Sequence, residues 1–259
     1  MPKKKNKINN FSPAHLLAVD VGNTYIHFAL FKEGKIAATF GVNSVLRGRP
    51  LSIRIQQILK KLPVNKAVIC SVVPEVTGIV SAMIKHELGI TADVIGRDIM
   101  VPVQNCYKDP KQVGQDRLVC AFAASELYGR PAIVIDLGTA ITLDGISARG
   151  EYLGGIIVPG IQLTTETLFE RTALLPLVQF EFPGSLIGRD TKTSILSGIY
   201  YGYGEMLKGL IGLLKKKISP RARVIVTGGH AELMAGYLKG RVDAVDKDLA
   251  MKGIALLAS

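Results

Sequence analysis

The chain has 259 residues, of which 48% are hydrophobic and 20% are charged. This composition supplies enough apolar material for a core and excludes a disordered chain. Apolar stretches are broken by Asp, Gly or Pro before the roughly 18 residues of a membrane helix, so no membrane partner is predicted. The three cysteines, Cys70, Cys106 and Cys120, form no C-x-x-C pair, which favours thiols in a reducing cytoplasm over disulfides or a zinc site.

The net charge of +11 raises the question of nucleic-acid binding. Four of these eleven charges lie in the first residues, at Lys3, Lys4, Lys5 and Lys7, and residues 1–15 are predicted to be a basic, disordered tail. Nucleic-acid modules concentrate charge on one face and interleave aromatics, whereas aromatics here are 6% and Trp is absent. We therefore predict no nucleic-acid partner, since this charge suffices to attract a small anionic ligand.

Short β-branched runs alternate with amphipathic stretches, which is typical of an α/β protein. In the first half the pattern predicts strands at 16–20, 25–31, 35–40 and 67–73, and helices at 52–62, 75–88 and from about 118 to 129. In the second half it predicts strands at 132–136, 140–146, 152–157 and 223–226, and helices at 162–171, at 194–214, from 231 and from 249.

The two halves share a motif. Residues 18–24 (AVDVGNT) align with residues 134–140 (VIDLGTA), and each segment is a buried strand followed by Asp, an apolar residue, Gly and a hydroxyl or amide residue. Matches half a chain apart predict a duplicated α/β unit. We expect an N-terminal lobe over 16–129 and a C-terminal lobe over 130–259, with a cleft between them.

The segment 20–24, called the first corner below, has a direct use in phosphate binding. Gly22 lets the backbone turn sharply and approach a ligand, and successive N–H groups can then surround phosphate oxygens. Asp20 at the strand end is placed to hold Mg²⁺, usually through water. The alternative is an ordinary turn with local hydrogen bonds, but the second copy at 136–140, the second corner, favours phosphate binding.

Residues 226–229 (VTGG) form a further glycine corner, which can hold adenine or ribose against the backbone or can be a tight strand-to-helix turn. The sequence contains neither G-x-x-x-x-G-K-[ST] nor a G-x-G-x-x-G that follows a strand, which excludes a P-loop kinase. The four histidines show no metal-ligand spacing.

The segment 114–117 (GQDR) precedes the apolar stripe of the third predicted helix. Asp116 would therefore lie at a helix N-terminus, where the dipole stabilises its charge. Asp116 can accept a proton from an attacking hydroxyl while Arg117 holds an anionic part of the substrate. The alternative is helix capping, with Arg117 as a solvated charge. Tyr107 and Pro110, shortly upstream, would shape the pocket.

From about residue 16 to its C-terminus, the chain resembles the type III pantothenate kinases. The segments that carry the resemblance, in order, are 20–24, 114–117, 136–140, 154–160, 188–191 and 227–229. The resemblance implies a duplicated ribonuclease-H-like fold, shared with acetate and sugar kinases, actin and heat-shock chaperones, with two lobes around a nucleotide cleft. It also implies ATP-dependent phosphorylation of pantothenate to 4'-phosphopantothenate, the first step of coenzyme A synthesis.

The same resemblance implies the role of each site residue. Asp116 is expected to be the general base. The expected ATP contacts are Asp20, Val21, Gly22, Asn23, Thr24 and Thr139, and the expected pantothenate pocket contains Tyr107, Gly114, Gln115, Asp116, Arg117 and Thr191. Asp136 is expected to bind a monovalent cation, K⁺ or NH₄⁺, in addition to the Mg²⁺ at Asp20. A homodimer is also expected, with pantothenate near the subunit interface, so that a monomer would be inactive.

The chain departs from the family pattern at a few positions. Asp190 stands where the family commonly has Asn, which adds a negative charge near an anionic substrate, and Tyr25 replaces a smaller polar residue. The tail has no counterpart. Two rival functions stay open: another small-molecule kinase or phosphatase of the same superfamily, and a non-catalytic regulator that retains the fold.

Overall fold

The computed structural model describes residues 15–44, 49–60 and 62–259. The predicted tail, except for His15, lies outside the described residues. Helices in these ranges are all too short or too polar to cross a membrane. The chain divides into two compact units: the first unit contains the described residues up to Val103, Asp109–Ala123 and Leu249–Ser259, and the second unit contains Gln104–Lys108 and Ala124–Asp248.

The first unit is built on a five-stranded sheet with the order β3-β2-β1-β4-β5. Its strands are β1 (His15–Val21), β2 (Tyr25–Lys32), β3 (Lys35–Asn43), β4 (Lys66–Ser71) and β5 (Asp93–Val94). Its helices are α1 (Arg49–Leu59), α2 (Pro74–Leu88) and most of α3 (Gln115–Tyr128), which follows a 3₁₀ turn at Pro110–Gln112. The central strand β1 is antiparallel to β2 and parallel to β4.

The hydrophobic run of β1 is explained by cover on both faces of the sheet. Leu17 and Val19 pack in a core that includes residues of α1 and α2, whereas Leu16 and Ala18 pack in a core that includes Val119 of α3. Alternate residues of a strand point to opposite faces, so a strand with helices on both faces needs apolar residues throughout.

The second unit repeats the same topology. Its strands are β6 (Ala132–Leu137), β7 (Ala140–Ile146), β8 (Tyr152–Pro159), β9 (Arg223–Thr227) and β10 (Ala244–Val245), and its helices are α4 (Ile161–Arg171), α5 (Thr191–Ile218) and α6 (Ala231–Tyr237). The order is β8-β7-β6-β9-β10, which is the order of the first sheet with each strand replaced by its counterpart. The predicted duplication and α/β class are therefore confirmed.

The last helix, α7 (Leu249–Leu257), packs in the first unit. A side chain at Gly253 would collide with Val119 and approach Ala123 of α3, so this glycine permits the close contact of the two helices. Because α7 packs in the first unit and Gln104–Lys108 in the second, neither unit is one contiguous stretch of chain.

The predicted elements are present, with differences at their ends. The strand predicted to reach residue 73 ends at Ser71, because Pro74 begins α2 and Val73 precedes it as the N-cap. Helix α5 begins at Thr191, three residues earlier than predicted, since Asp190 caps it. The two-residue strands β5 and β10 are too short to give a sequence pattern.

Candidate active site

The first corner connects the buried strand β1 to β2. Asp20 is half-buried and pairs with His27 of β2 and Cys70 of β4. The N–H of Gly22 donates to the carbonyl of Tyr25 at 2.9 Å. This N–H therefore serves the turn itself, and a phosphate at this corner would use the other polar groups of the loop.

Ser44, just after β3, holds the first corner in place. Its side chain is buried, at 1% exposure. Its hydroxyl donates to the carbonyl of Asn23 at 2.7 Å, and its N–H donates to the carbonyl of Thr24 at 2.9 Å. The Asn23 side chain stays exposed. No local sequence signal identifies Ser44, because it lies twenty residues beyond the loop and only the β2–β3 hairpin brings it there.

Asp116 lies in the first turn of α3, as predicted. Its Oδ1 accepts a hydrogen bond from the N–H of Arg117 at 2.8 Å. A Cβ on Gly114 would meet that carboxylate oxygen and the side chain of Val72, so only glycine leaves room for the carboxylate there. The helix dipole favours a negative charge at this position.

Arg117 is buried, at 9% exposure. The alternative that Arg117 is a solvated surface charge is therefore wrong. Gln115, the first residue of α3, packs its side chain against Gly96, whose φ of +85° also favours glycine. The predicted segment is thus built into the first unit rather than lying on its surface.

The buried thiol of Cys70 is close enough to both Asp20 and Asp116 for their charges to raise its pKa. Burial raises the pKa of the Cys70 thiol well above its ordinary value, and the negative charges of Asp20 and Asp116 raise this pKa further. The geometry agrees, because Cys70 is the strand partner of Asp20 and Val72, two residues further on, lies beside Gly114. The first unit brings together the predicted magnesium ligand and the predicted general base.

The second corner gives its aspartate a different environment. Asp136 is half-buried and pairs with Thr142 of β7 and Thr227 of β9. Gly228 has a φ of +92°, and a Cβ there would collide with Oδ1 of Asp136 and with the Leu137 backbone. The Asp136 carboxylate therefore lies against the backbone of a glycine that no other residue can replace without strain.

Thr139, the predicted ATP contact, lies exposed in the turn between β6 and β7. Its carbonyl accepts a hydrogen bond from the N–H of Gly160 at 3.1 Å. A Cβ on Gly160 would collide with the carbonyls of both Gly138 and Thr139. The glycine that closes the 154–160 motif thus permits the close approach of β8 and α4 to the second corner.

Tyr107, the predicted pantothenate contact, packs on β8. Its ring lies 6.3 Å from that of Tyr152, measured between centroids, and a Cβ on Gly154 would lie 3.2 Å from the ring. Thr139 lies near the other end of β8, because the adjacent Ala140 pairs with Pro159. The stretch from Gly154 to Pro159 is about 17 Å of strand, so the second unit does not bring Tyr107 and Thr139 together.

Thr191 is the exposed first residue of α5. The preceding Asp190 is the N-cap of this helix, and its carboxylate accepts a hydrogen bond from the N–H of Thr193 at 2.8 Å. This bond lowers the pKa of Asp190 below its ordinary value. The charge that departs from the family pattern therefore caps a helix, a use for which Asn is equally suited.

The chemistry of the two corners fits hard cations. In the described ranges no group of three or more His, Cys, Asp or Glu side chains is arranged to hold a metal ion. Asp20 and Asp136 each supply a half-buried carboxylate at a strand end, and Asp136 lies beside glycine backbone. Carboxylate and carbonyl oxygens, completed by water, are the ligands of such ions.

Solved structures share this fold. A Campylobacter jejuni protein assigned to the Baf family of transcriptional activators matches with a TM-score of 0.59 and 20% identity, covering 93% of this chain and 96% of that chain. Component A of (R)-2-hydroxyglutaryl-CoA dehydratase from Acidaminococcus fermentans matches with a TM-score of 0.54 and 16% identity, covering 95% and 96%. At these identities the likeness concerns the fold alone.

The repeated sheet order, with an acidic glycine corner at the end of each central strand, is that of the duplicated ribonuclease-H-like fold. The family model of type III pantothenate kinase matches residues 16–212. The type III pantothenate kinase of Moorella thermoacetica is 37% identical over 253 residues, which cover 93% of this chain and 98% of that protein. The chain belongs to the type III pantothenate kinase family, and the predicted resemblance is confirmed.

Proposed function

We propose that this protein transfers the γ-phosphoryl group of ATP to the primary alcohol of pantothenate, and that Asp116 is the general base. The observation that carries the proposal is the arrangement around α3. There a carboxylate at the helix N-terminus accepts a hydrogen bond from the N–H of the buried Arg117 at 2.8 Å, and Gly114 leaves room for this carboxylate. A carboxylate and a guanidinium in adjacent positions suit a substrate that has an alcohol at one end and an acid at the other.

In this proposal Asp116 orients the alcohol and then accepts its proton. Phosphoryl transfer passes through a loose transition state, so catalysis depends mainly on positioning and on neutralising charge. A carboxylic acid is a far stronger acid than an alcohol, so the proton moves to Asp116 only late, as the new O–P bond forms. Arg117 would form a charge-assisted pair with the pantothenate carboxylate, and Tyr107 and Thr191 are the further proposed pantothenate contacts.

The proposed nucleotide contacts are residues of the two corners. Asp20, Val21, Gly22, Asn23 and Thr24 are the proposed phosphate contacts of the first corner, and Thr139 is that of the second. Asp20 would hold Mg²⁺ through water, and Asp136 would hold K⁺ or NH₄⁺ against the glycine backbone. These cations, when bound, offset the negative charge of the triphosphate.

A homodimer is part of the proposal. Exposed apolar side chains lie along β8 and α4, namely Leu153, Ile157, Leu163 and Phe169. A second copy of the chain would cover exposed apolar side chains such as these and complete the pantothenate pocket, so the monomer would be inactive. We also propose a cytoplasmic location, supported by three cysteines that form no disulfide.

The test is a transfer assay with γ-labelled ATP, Mg²⁺ and K⁺, and a panel of acceptors that includes pantothenate, acetate and several sugars. Label is expected in pantothenate alone. Label in a sugar or in acetate would instead assign another kinase of this superfamily. Binding of ATP without transfer to any acceptor, together with salt-sensitive DNA binding, would favour the regulator.

The same assay, run on fractions from size-exclusion chromatography, tests the dimer. Activity is expected in the dimer fraction, and a fully active monomer would contradict this part of the proposal.

A further inference from the structure

Asp144, in the middle of β7, is a buried acid outside the proposed set of site residues. Its side chain is 1% exposed. Oδ1 accepts a hydrogen bond from the hydroxyl of Tyr152 at 2.7 Å, and Oδ2 accepts one from the hydroxyl of Thr142 at 3.1 Å. Burying a carboxyl group is costly unless its hydrogen bonds are satisfied, so the two hydroxyls and the acid hold one another in fixed positions.

The residue that Asp144 holds through Oδ1, Tyr152, contacts the loop 104–108, which contains the predicted pantothenate contact Tyr107. Tyr152 is completely buried. Its N–H donates to the carbonyl of Gln104 and its carbonyl accepts from the N–H of Cys106, both at 2.9 Å. The ring of Tyr107 then packs against that of Tyr152. Tyr152 therefore supports the loop 104–108 with its backbone and its ring, while Asp144 fixes the far end of that ring.

The residue that Asp144 holds through Oδ2, Thr142, is a neighbour of the second corner. Thr142 is the direct antiparallel partner of Asp136, and directly opposite residues of such a pair point to the same face of the sheet. Thr142 and Asp144 also share a face of β7, as residues two apart in a strand do. The hydroxyl of Thr142 is therefore held by Asp144 on the face that carries the predicted cation ligand.

We propose that Asp144 is a positioning residue of this kinase, which orients Tyr107 for pantothenate through Tyr152 and orients Asp136 for the monovalent cation through Thr142. This inference rests on the site roles given under Proposed function. Asp144 itself contacts neither substrate. Each of its two oxygens accepts a hydrogen bond from a different hydroxyl. The bond from Tyr152 would affect pantothenate binding, and the bond from Thr142 would affect cation binding.

The two hydrogen bonds of Asp144 can be removed one at a time, by substitution in the full-length protein. Tyr152→Phe removes the hydroxyl that binds Oδ1 and is expected to raise the KM for pantothenate about five- to tenfold, with kcat within about twofold. Thr142→Val removes the hydroxyl that binds Oδ2 and is expected to raise the K⁺ concentration for half-maximal activation by a similar factor. Each variant should leave the other constant unchanged, and Asp144→Asn should change both.

Tyr128→Phe is the matched control. The hydroxyl of Tyr128 donates to the carboxylate of Asp246 at 2.7 Å, the same kind of bond as that between Tyr152 and Asp144. Asp246 is also buried. The control should lower the melting temperature about as much as Tyr152→Phe does, because each change leaves a buried carboxyl group short of one donor. Its KM for pantothenate and its K⁺ response should equal those of the wild type.

A purely structural role of Asp144 predicts a different result. In that case Tyr152→Phe, Thr142→Val and Tyr128→Phe would all lose stability and keep wild-type kinetic constants, and the inference would be overturned. Tyr107→Ala separates this failure from failure of the proposed site. If Tyr107→Ala leaves the pantothenate KM unchanged, the assignment of Tyr107 is wrong. If Tyr107→Ala raises that KM while Tyr152→Phe does not, only the role of Asp144 is wrong.

Discussion

The first and second corners occupy equivalent places in two sheets of the same strand order, yet their aspartates have different neighbours. Asp20 pairs with His27 and Cys70, and its loop is held from outside by the buried Ser44. Asp136 pairs with two threonines, and its carboxylate lies against the backbone at Gly228. The first corner thus presents an exposed polar loop, whereas the second places a carboxylate in close contact with main chain.

Under the proposed function, this difference would give the two copies of the unit different ligands. The strands, the acid and the turn glycine are common to both copies, and they fix where a carboxylate stands. The residues that decide what the carboxylate can bind come from other strands and loops. An exposed loop suits the phosphates of a nucleotide, while a carboxylate against glycine backbone, where carbonyl oxygens can approach a cation, suits a weakly hydrated ion.

The largest effect is expected from Asp116→Asn, which alters the acid that acts beside Asp20 in the first unit. The amide cannot accept the proton of the alcohol, so turnover should fall by about 10²–10⁴-fold, the usual contribution of a general base. ATP binding, measured by isothermal titration calorimetry, should stay within about twofold. Asp243→Asn, which changes a surface acid paired with Arg223, serves as the control, and near-wild-type turnover of the Asp116 variant would exclude the proposed base.

The glycines of the two corners offer the most direct test of their difference. Gly228→Ala forces a side chain into a left-handed backbone conformation and into the Asp136 carboxylate, at an expected cost of about 2–4 kcal/mol. In Gly22→Ala the new Cβ would meet only the Tyr25 carbonyl, at 3.1 Å, so the change should stay within about 1 kcal/mol. Urea denaturation checks both values, and equal destabilisation would contradict the difference in glycine packing between the two corners.

Three residues of the candidate site could be proposed from the sequence because their signals are local. Asp20, Asp116 and Asp136 each end a buried strand or begin an apolar helix, and a glycine stands close by, so a short window contains the whole pattern. Ser44 and Asp144 were not predicted, because a serine after a strand and an acid within one have no local signature. Their roles arise only when strand pairing brings distant residues together.

Asp136→Ala should cost less free energy than Gly228→Ala does. Its effect should appear in the K⁺ dependence of activity instead of in the stability of the fold. Removing the carboxylate takes away the main charge that would hold a monovalent cation, so the response of the enzyme to added K⁺ should be lost, with turnover at saturating K⁺ falling about tenfold. In Asp20→Asn the K⁺ response should persist while the KM for Mg-ATP rises. Titration of activity with KCl, at constant ionic strength, distinguishes the two corners, and an unchanged K⁺ response of Asp136→Ala would place the cation elsewhere.

The smallest effect is expected at Asp190, where the acid serves a helix end rather than a corner. Hydrogen bonds, first of all that from the N–H of Thr193, lower the pKa of Asp190 in the folded protein. Ionised Asp190 therefore stabilises the fold at pH values above its ordinary pKa of 3.8. This stabilisation is lost as the pH falls through the lowered pKa of the folded protein. The melting temperature of Asp190→Ala should therefore lie a few degrees below that of the wild type at pH 6, and this gap should narrow as the pH falls below about 3.8. Asp190→Asn keeps the cap and removes the charge, so it should melt with the wild type at pH 6 and bind anionic pantothenate slightly better, by less than about threefold. A gap for Asp190→Ala that does not vary with pH would show that protonated Asp190 caps the helix as well as the ionised form does, and would contradict this prediction.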